Sequence, residues 1–345
     1  MPTHLQQPAS LTCIIPCLNE DANLQVLLPG LIAALKTLAP VYEIIVVDDG
    51  STDSTPETMQ GWAEQCPEIR YLQLSRNFGK EAALTAGLEA AKGAVVICMD
   101  ADLQHPPALI SKMVERWKQG VEMVYAVRTS RADESLLKRW GTRLFYKMMR
   151  TSNGLQVPEN AGDFRLMDRA VVDALLMMPE RNRFMKGLFA WVGFRSEPML
   201  YSPAVRLYGK TSFKPFKLLH FAVDGLTAFT TWPLRLLSLF GVGLSLLSFA
   251  YGLFILISHL LFGDPVQGWT TLIIVILFFA GVQLISVGVL GEYVARIFGE
   301  VKNRPLYLVR RQAGQGLAES NEGTGVSGAD LRVSQVASSP LRKLG

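Results

Sequence analysis

Short unbroken apolar runs recur along the first third of the chain, and each gives way to a polar cluster and then to apolar positions at helical spacing. Residues 11–15, 43–47, 70–74, 94–99 and 123–127 read as strands, with 43–47 buried and 94–99 buried on both faces. Leu24, Leu27, Leu28, Leu31, Ile32 and Leu35 share one helical face, with Asn19 or Asp21 placed to cap the helix and Pro29 to bend it. Thr55-Pro56 opens a second helix and residues 81–91 form a third. Pro107 opens a fourth, with Ile110, Met113, Val114 and Trp117 on its apolar face. This alternation predicts an α/β fold: a mostly parallel sheet with helices on both faces. Ligands of such sheets bind outside the carboxyl ends of the strands. The clusters Asn19-Glu20, Asp48-Asp49, Ser75-Arg76-Asn77 and Asp100-Ala101-Asp102 all follow strands, so they are expected to line one crevice.

A second pattern governs the C-terminal part. Residues 236–262 and 269–291 contain no Asp, Glu, Lys or Arg, and each run exceeds the ~20 residues a helix needs to cross a bilayer. Two transmembrane α-helices are expected, over 233–262 and 269–298, joined by a short loop at 263–268. Arg206, Lys210, Lys214, Lys217 and Arg235 precede the first span, and Arg296, Lys302, Arg304, Arg310 and Arg311 follow the second. That bias places both termini in the cytoplasm. No signal-peptide pattern opens the chain, so the domain over 11–205, after an N-terminal tail at 1–10, is expected to stay cytosolic. Residues 206–232, with Phe213, Phe216, Leu219 and Val223 among basic residues, form an interfacial segment. Residues 299–311 are a basic cytoplasmic segment, and 312–345, poor in apolar residues, read as a disordered tail. These spans account for 49% hydrophobic residues and a mean hydropathy of +0.23 in 345 residues. The net charge of +4 gathers beside the spans and suits anionic lipid rather than nucleic acid.

The chemistry is expected where residues 94–99 surface at Asp100-Ala101-Asp102. Two hard oxygen ligands suit Mg²⁺ or Mn²⁺ that also holds a substrate diphosphate. An isolated Asp-x-Asp reads as plainly as a solvated loop, so context decides. No Gly-x-Gly-x-x-Gly follows the first strand and no Gly-Lys-Ser/Thr loop occurs, which disfavours a dinucleotide enzyme or a P-loop ATPase. Cys13, Cys17, Cys66 and Cys98 show no Cys-x-x-Cys spacing; Cys13 and Cys98 sit inside strands as small apolar residues. The basic stretch over 133–150 reads equally as a solvated face or an anion site.

In sum these motifs resemble glycosyltransferase family 2, and within it the polyprenyl-phosphate enzymes of the bactoprenol glucosyltransferase type; dolichol-phosphate mannose synthases are more distantly similar. The resemblance is carried by Ile14-Ile15-Pro16-Cys17-Leu18-Asn19-Glu20, Val47-Asp48-Asp49-Gly50-Ser51-Thr52-Asp53, Ser75-Arg76-Asn77-Phe78-Gly79-Lys80 and Met99-Asp100-Ala101-Asp102-Leu103-Gln104-His105-Pro106-Pro107. Gly162-Asp163-Phe164-Arg165, Arg183-Phe184-Met185-Lys186-Gly187, Arg206-x-x-Gly209-x-Thr211, Pro233-Leu234-Arg235 and Gly291-Glu292-Tyr293 follow in the family's order. It implies a Rossmann-like GT-A fold, a nucleotide-sugar donor, a divalent metal, inversion at the anomeric carbon and a homotetramer. Carried over by position, Pro16, Leu18, Glu20, Asp48, Asp49, Asn77, Lys80, Asp100 and Ala101 take the donor. Asp100, Asp102 and Gln104 form the metal and diphosphate site. Asp163 occupies the proposed base position and is taken with Asp102 as catalytic, and Arg128, Arg139, Arg206 and Thr211 take the lipid phosphate. Thr211 stands where Ser is usual, Ala108 where Glu is usual and Lys186 where Arg is common.

A phosphate monoester with its second pKa near ~6 is already largely dianionic at neutral pH, so Asp163 is expected to orient the acceptor or complete the metal shell rather than abstract a proton. His105 reads as a turn residue. Glucose from UDP-glucose to undecaprenyl phosphate at the bacterial inner membrane, for cell-envelope glycan modification, is the first expectation by likeness. Transfer of a 4-amino-4-deoxy-arabinose-type sugar, mannose or another hexose is the alternative. A processive polysaccharide synthase is disfavoured because Leu136 stands where its Gln-x-x-Arg-Trp motif needs Gln, and a non-catalytic membrane component is the remaining reading.

Overall fold

The computed structural model describes residues 8–128, 161–181, 183–201 and 268–317, with a scatter of positions between 239 and 261. The four first strands, β1 (Leu11–Cys17), β2 (Tyr42–Asp48), β3 (Ile69–Leu74) and β4 (Val95–Cys98), are almost wholly buried and pair in parallel. With β5 (Met123–Arg128), β6 (Ala161–Asp168), β7 (Ser196–Tyr201) and β8 (Val309–Ala313) they make an eight-stranded sheet, ordered β7-β5-β6-β4-β1-β2-β3-β8. The expected GT-A, Rossmann-like arrangement fits.

Period-two alternation assigns each strand residue to one of two cores. Leu11, Cys13, Ile15 and Cys17 of β1 face helices α1 (Asp21–Leu38), α2 (Thr55–Gln65) and α4 (Ala108–Lys118), while Ile14 faces α3 (Lys80–Ala90), α5 (Arg169–Leu176) and α6 (Met185–Trp191). Leu24, Leu28 and Leu31 of α1 are fully buried, each contributing roughly 1.5–3 kcal/mol of burial. The apolar face expected for α4 is the buried one. Cys13, Cys17 and Cys98 are buried free thiols, Cys66 is partly buried, and none is bridged.

Several expectations are corrected in detail. The motif at 162–165, for which no strand was expected, lies inside β6, antiparallel between β4 and β5 in the middle of the sheet. Its charged residues blur the apolar pattern at the site. Neither Asn19 nor Asp21 caps α1: the Asn19 side-chain Oδ1 accepts from the Thr52 amide, and Asp21 accepts from Gln25 and Thr58. Thr55 starts α2, yet its hydroxyl accepts from the Glu20 amide.

The tail boundary at 312 is also too early. β8 runs to Ala313, antiparallel to β3, and Leu317 is buried with its amide donating to Glu43 Oε2 at 3.0 Å. The strand is exposed and polar, so no apolar alternation announces it; backbone pairing alone makes it.

Helix α7 (Trp269–Val301) precedes this strand. Its segment Phe278–Val301 is long and apolar enough to cross a membrane, and Leu284, Ile285 and Val287 stand exposed on it. It is the one such helix among the described residues. The described positions between 239 and 261 are all helical.

Candidate active site

The carboxyl ends of β1, β2, β4 and the amino-terminal half of β6 converge where the four polar clusters were expected to meet. Asp48 ends β2 fully buried, its Oδ1 accepting from the Ser51 amide at 2.7 Å and its Oδ2 from the Tyr71 hydroxyl at 2.7 Å. Burial first, then the bond to Asp48, pushes the Tyr71 phenol far above its ordinary value. Asp49 holds the next loop, accepting from the Phe78 amide at 2.7 Å and the Gly79 amide at 2.8 Å. Burial raises its pKa against the pull of those two amides. The two loops touch at Gly50, whose φ is +78° and where a Cβ would stand 2.6 Å from the Arg76 carbonyl carbon. Only glycine satisfies both demands. Pro16 is buried in β1 opposite Val47, Leu18 is exposed at the rim and Glu20 lies partly buried beside Asn23. Asn77 is exposed, its carbonyl accepting from Arg76 at 2.9 Å.

Asp100 and Asp163 meet through strand register. Val95 faces Asp168 and Cys98 faces Arg165 across β4 and β6; two steps further along, the same antiparallel register sets Asp100 against Asp163. Between them sits Lys80, at the start of α3, with Nζ 2.5 Å from Asp100 Oδ1 and 2.7 Å from Asp163 Oδ2. Burial works against the ammonium, but the two carboxylates override it and hold Lys80 well above its usual pKa. Burial likewise opposes ionisation of Asp163, and Lys80, Lys186 and Arg165 outweigh it, holding that carboxyl down at about 2. Ala101 is buried and Asp102 half-buried, with Asp102 Oδ1 accepting from the Gln104 amide at 3.1 Å. Leu103 between them has φ +59°, an uncommon conformation for a side chain branched at Cγ, of the kind that collects at functional loops.

The structure therefore brings together Asp100, Asp163 and Lys80, with Asp102 on the same loop and Asp48, Asp49 and Glu20 on the neighbouring ones. The contact Gln104 makes to Asp102 is by its backbone amide. Arg128 closes β5 opposite Tyr201; Arg139, Arg206 and Thr211 lie outside the described residues. His105 is buried with its ring 4.7 Å from Phe164 and 5.5 Å from Tyr201, centroid to centroid, a packing residue beneath the loop.

Three charged neighbours escaped the sequence reading as site residues. Arg165, two places beyond Asp163 on β6, is buried with its guanidinium 3.4 Å over the Phe189 ring and donates to the Gly162 carbonyl at 2.8 Å. Burial lowers its pKa to about 10 against the pull of Asp163. Glu81 follows Lys80; burial, then Asp163, raises its carboxyl to about 7, and its Oε2 has no hydrogen-bond partner among the described residues. Lys186, at the start of α6, adds positive charge toward both Asp163 and Glu81. The i, i+2 spacing of Asp163 and Arg165 was the available signal for the first, membership of the 183–187 motif the signal for Lys186, and nothing local marks Glu81.

The donor set fits a hard divalent cation. No group of three or more His, Cys, Asp or Glu gathers among the described residues, but Mg²⁺ is commonly held by one or two carboxylates with substrate phosphates completing the shell. Asp100 and Asp102 supply that much.

Residues 12–176 match the profile of Glycosyl transferase family 2. The chain is 46% identical over 299 residues to an uncharacterized glycosyltransferase of Synechocystis sp., covering 87% of this chain and 94% of that protein. It is 41% identical over 302 residues to the SfII prophage-derived bactoprenol glucosyl transferase of Shigella flexneri, covering 87% and 97%. Among solved structures, glucosyl-3-phosphoglycerate synthase from Mycobacterium tuberculosis, in complex with Mn²⁺, uridine diphosphate and phosphoglyceric acid, aligns with a TM-score of 0.43 and 18% identity over 66% of this chain and 79% of that one. The chain is a glycosyltransferase and belongs to glycosyl transferase family 2.

Proposed function

We propose that this protein is a membrane-bound inverting glycosyltransferase that moves glucose from UDP-glucose to undecaprenyl phosphate. The observation that carries the reading is the meeting of Asp100 and Asp163 around Lys80 at the carboxyl end of the sheet. Relatives that match nearly their whole length and are named bactoprenol glucosyl transferases supply the sugar and the acceptor.

On this reading Glu20, Asp48 and Asp49 shape the nucleoside pocket with Pro16, Leu18, Asn77 and Ala101, and Asp100 and Asp102, with Gln104 beside them, hold Mg²⁺ or Mn²⁺. When bound, the metal stabilises the charge that grows on the departing diphosphate. Asp163, kept ionised by Lys80, Lys186 and Arg165, is a weak proton acceptor at neutral pH. The acceptor phosphate, already mostly dianionic, does not need one. Asp163 therefore holds Lys80 and orients the incoming phosphate. Arg128, Arg139, Arg206 and Thr211 align the lipid phosphate, since planar guanidinium groups match its oxygens.

The acceptor keeps its hydrocarbon in the bilayer, at ~0.8 kcal/mol per methylene, so the enzyme must come to it. Two spans, over 233–262 and 269–298, with the domain over 11–205 and both termini in the cytoplasm, would hold the crevice at that surface; the exposed apolar residues of α7 support membrane contact by that helix. We infer a homotetramer, as the resemblance to the family implies. The test is to incubate the purified chain with undecaprenyl phosphate and a panel of nucleotide sugars in Mn²⁺ buffer. Glucosyl lipid from UDP-glucose is expected. Product from another sugar alone would replace the donor, and no lipid product from any would overturn the reading.

A further inference from the structure

We propose that Lys80 is the site's internal counter-cation: it holds Asp100 and Asp163 until a divalent metal arrives with a nucleotide diphosphate, and so makes the binding of metal and nucleotide mutually dependent. This deepens the function proposed above and rests on its metal site.

The placement of Lys80 is built, not incidental. Its backbone is fixed because the Asp49 carboxylate holds the amides of Phe78 and Gly79, and Gly79 turns into α3 with a φ of +102°. From that fixed base the ammonium reaches two carboxylates, on β6 and on the loop after β4, at 2.7 Å and 2.5 Å. Asp163 stands on a central strand and cannot withdraw. The lysine side chain, 43% exposed, has a flexible stem and an open side to move toward. A divalent cation at Asp100 puts two positive charges against the ammonium, and the mobile partner is the one that leaves.

Where the ammonium goes decides the energetics. A bare metal ion releases it to its open side, where it exchanges a carboxylate for water alone, and the other charges near Asp163, Lys186 and Arg165, are cations that offer it no new partner. A metal with a diphosphate brings phosphate oxygens beside the same loop, and the ammonium exchanges one carboxylate partner for another anion. Bare cation should therefore bind weakly and diphosphate should strengthen it; by linkage the metal strengthens nucleotide binding by the same factor.

The test is Mn²⁺ binding to the full chain in detergent, followed by the electron paramagnetic resonance of free Mn²⁺ with and without uridine diphosphate. In the unaltered protein the nucleotide is expected to tighten Mn²⁺ by about ten-fold or more, within the usual range of coupling between sites. Lys80→Met should bind Mn²⁺ alone about ten-fold more tightly than the unaltered protein and lose most of the nucleotide effect, and Lys80→Arg should restore it. If Lys80→Met leaves the affinity for Mn²⁺ alone unchanged or weaker, or keeps the full nucleotide effect, the inference is overturned while the metal site stands. If the unaltered protein takes up no Mn²⁺ even with the nucleotide, the metal site itself fails and this inference with it.

Discussion

Tyr71 and Asp48 illustrate how the crevice floor is kept rigid. The buried carboxylate has one oxygen on a backbone amide and the other on the Tyr71 hydroxyl. Tyr71→Phe removes one donor and leaves that oxygen without it, so a loss of roughly 1–3 kcal/mol in unfolding free energy is expected by denaturant titration. Glu81 has the opposite character. Its carboxyl is raised from 4.5 to about 7, so between those values the folded protein binds a proton the unfolded chain does not, and stability falls as pH rises through that window. Glu81→Gln removes the liability. The variant should gain stability relative to the unaltered protein from pH 5 to pH 8, and a difference that stays constant with pH would show that Glu81 does not titrate there. The acids Asp100, Asp102 and Asp163 were legible from motif order. The lysine that bridges two of them was legible only as a member of a motif, because ionic contact across 20 or 83 residues of chain leaves no trace in local spacing.

Among the elements, those with an unbroken apolar run or a helical stripe were readable, namely β1 to β5 and α1 to α4. β6 and β8 were not, for different reasons. The first sets the charged Asp163 and the buried Arg165 among its apolar residues at the site, and the second is an exposed edge whose side chains face water. β8 is tied in by more than its pairing with β3. The Ser75 amide donates to the Leu308 carbonyl at 2.8 Å, and Tyr307 bonds Glu89. Fully buried Glu43 accepts from the Thr12 hydroxyl at 2.7 Å, the Lys92 amide at 2.9 Å and the Leu317 amide at 3.0 Å. Glu43→Ala strips three donors, two of them buried, of their partner and should cost about 3 kcal/mol or more. Ending the chain at Leu308 should lower the thermal midpoint as well, since it exposes the β3 edge and one side of Glu43. An unchanged midpoint would mean that the strand after α7 adds nothing to the sheet.

For the molecule as a whole, the return of the chain from α7 to the sheet edge means that the apolar helix and the catalytic sheet are parts of one folded unit rather than an enzyme on a tether. Arg181 and the Glu300 carboxylate, joined through the Arg181 amide at 3.0 Å, add a second tie at the end of the helix. If two spans cross the bilayer as proposed, a lone cysteine at Val266 should react with an impermeant maleimide from outside intact spheroplasts, whereas one at Ser320 should react only after permeabilisation. Labelling of both from outside would contradict the topology. The central claim is that Asp100 and Asp102 grip a cation that steadies the leaving diphosphate beside a lipid-borne phosphate. It is tested most directly by following transfer of labelled glucose from UDP-glucose to undecaprenyl phosphate in excess chelator, then after Mn²⁺ is restored, for the unaltered enzyme and for Asp102→Asn. Chelator should stop the unaltered enzyme, Mn²⁺ should revive it, and Asp102→Asn with Mn²⁺ should remain at least about 100-fold slower than the revived enzyme; full turnover in chelator, or an Asp102→Asn enzyme as fast as the original, would show that no such cation is held.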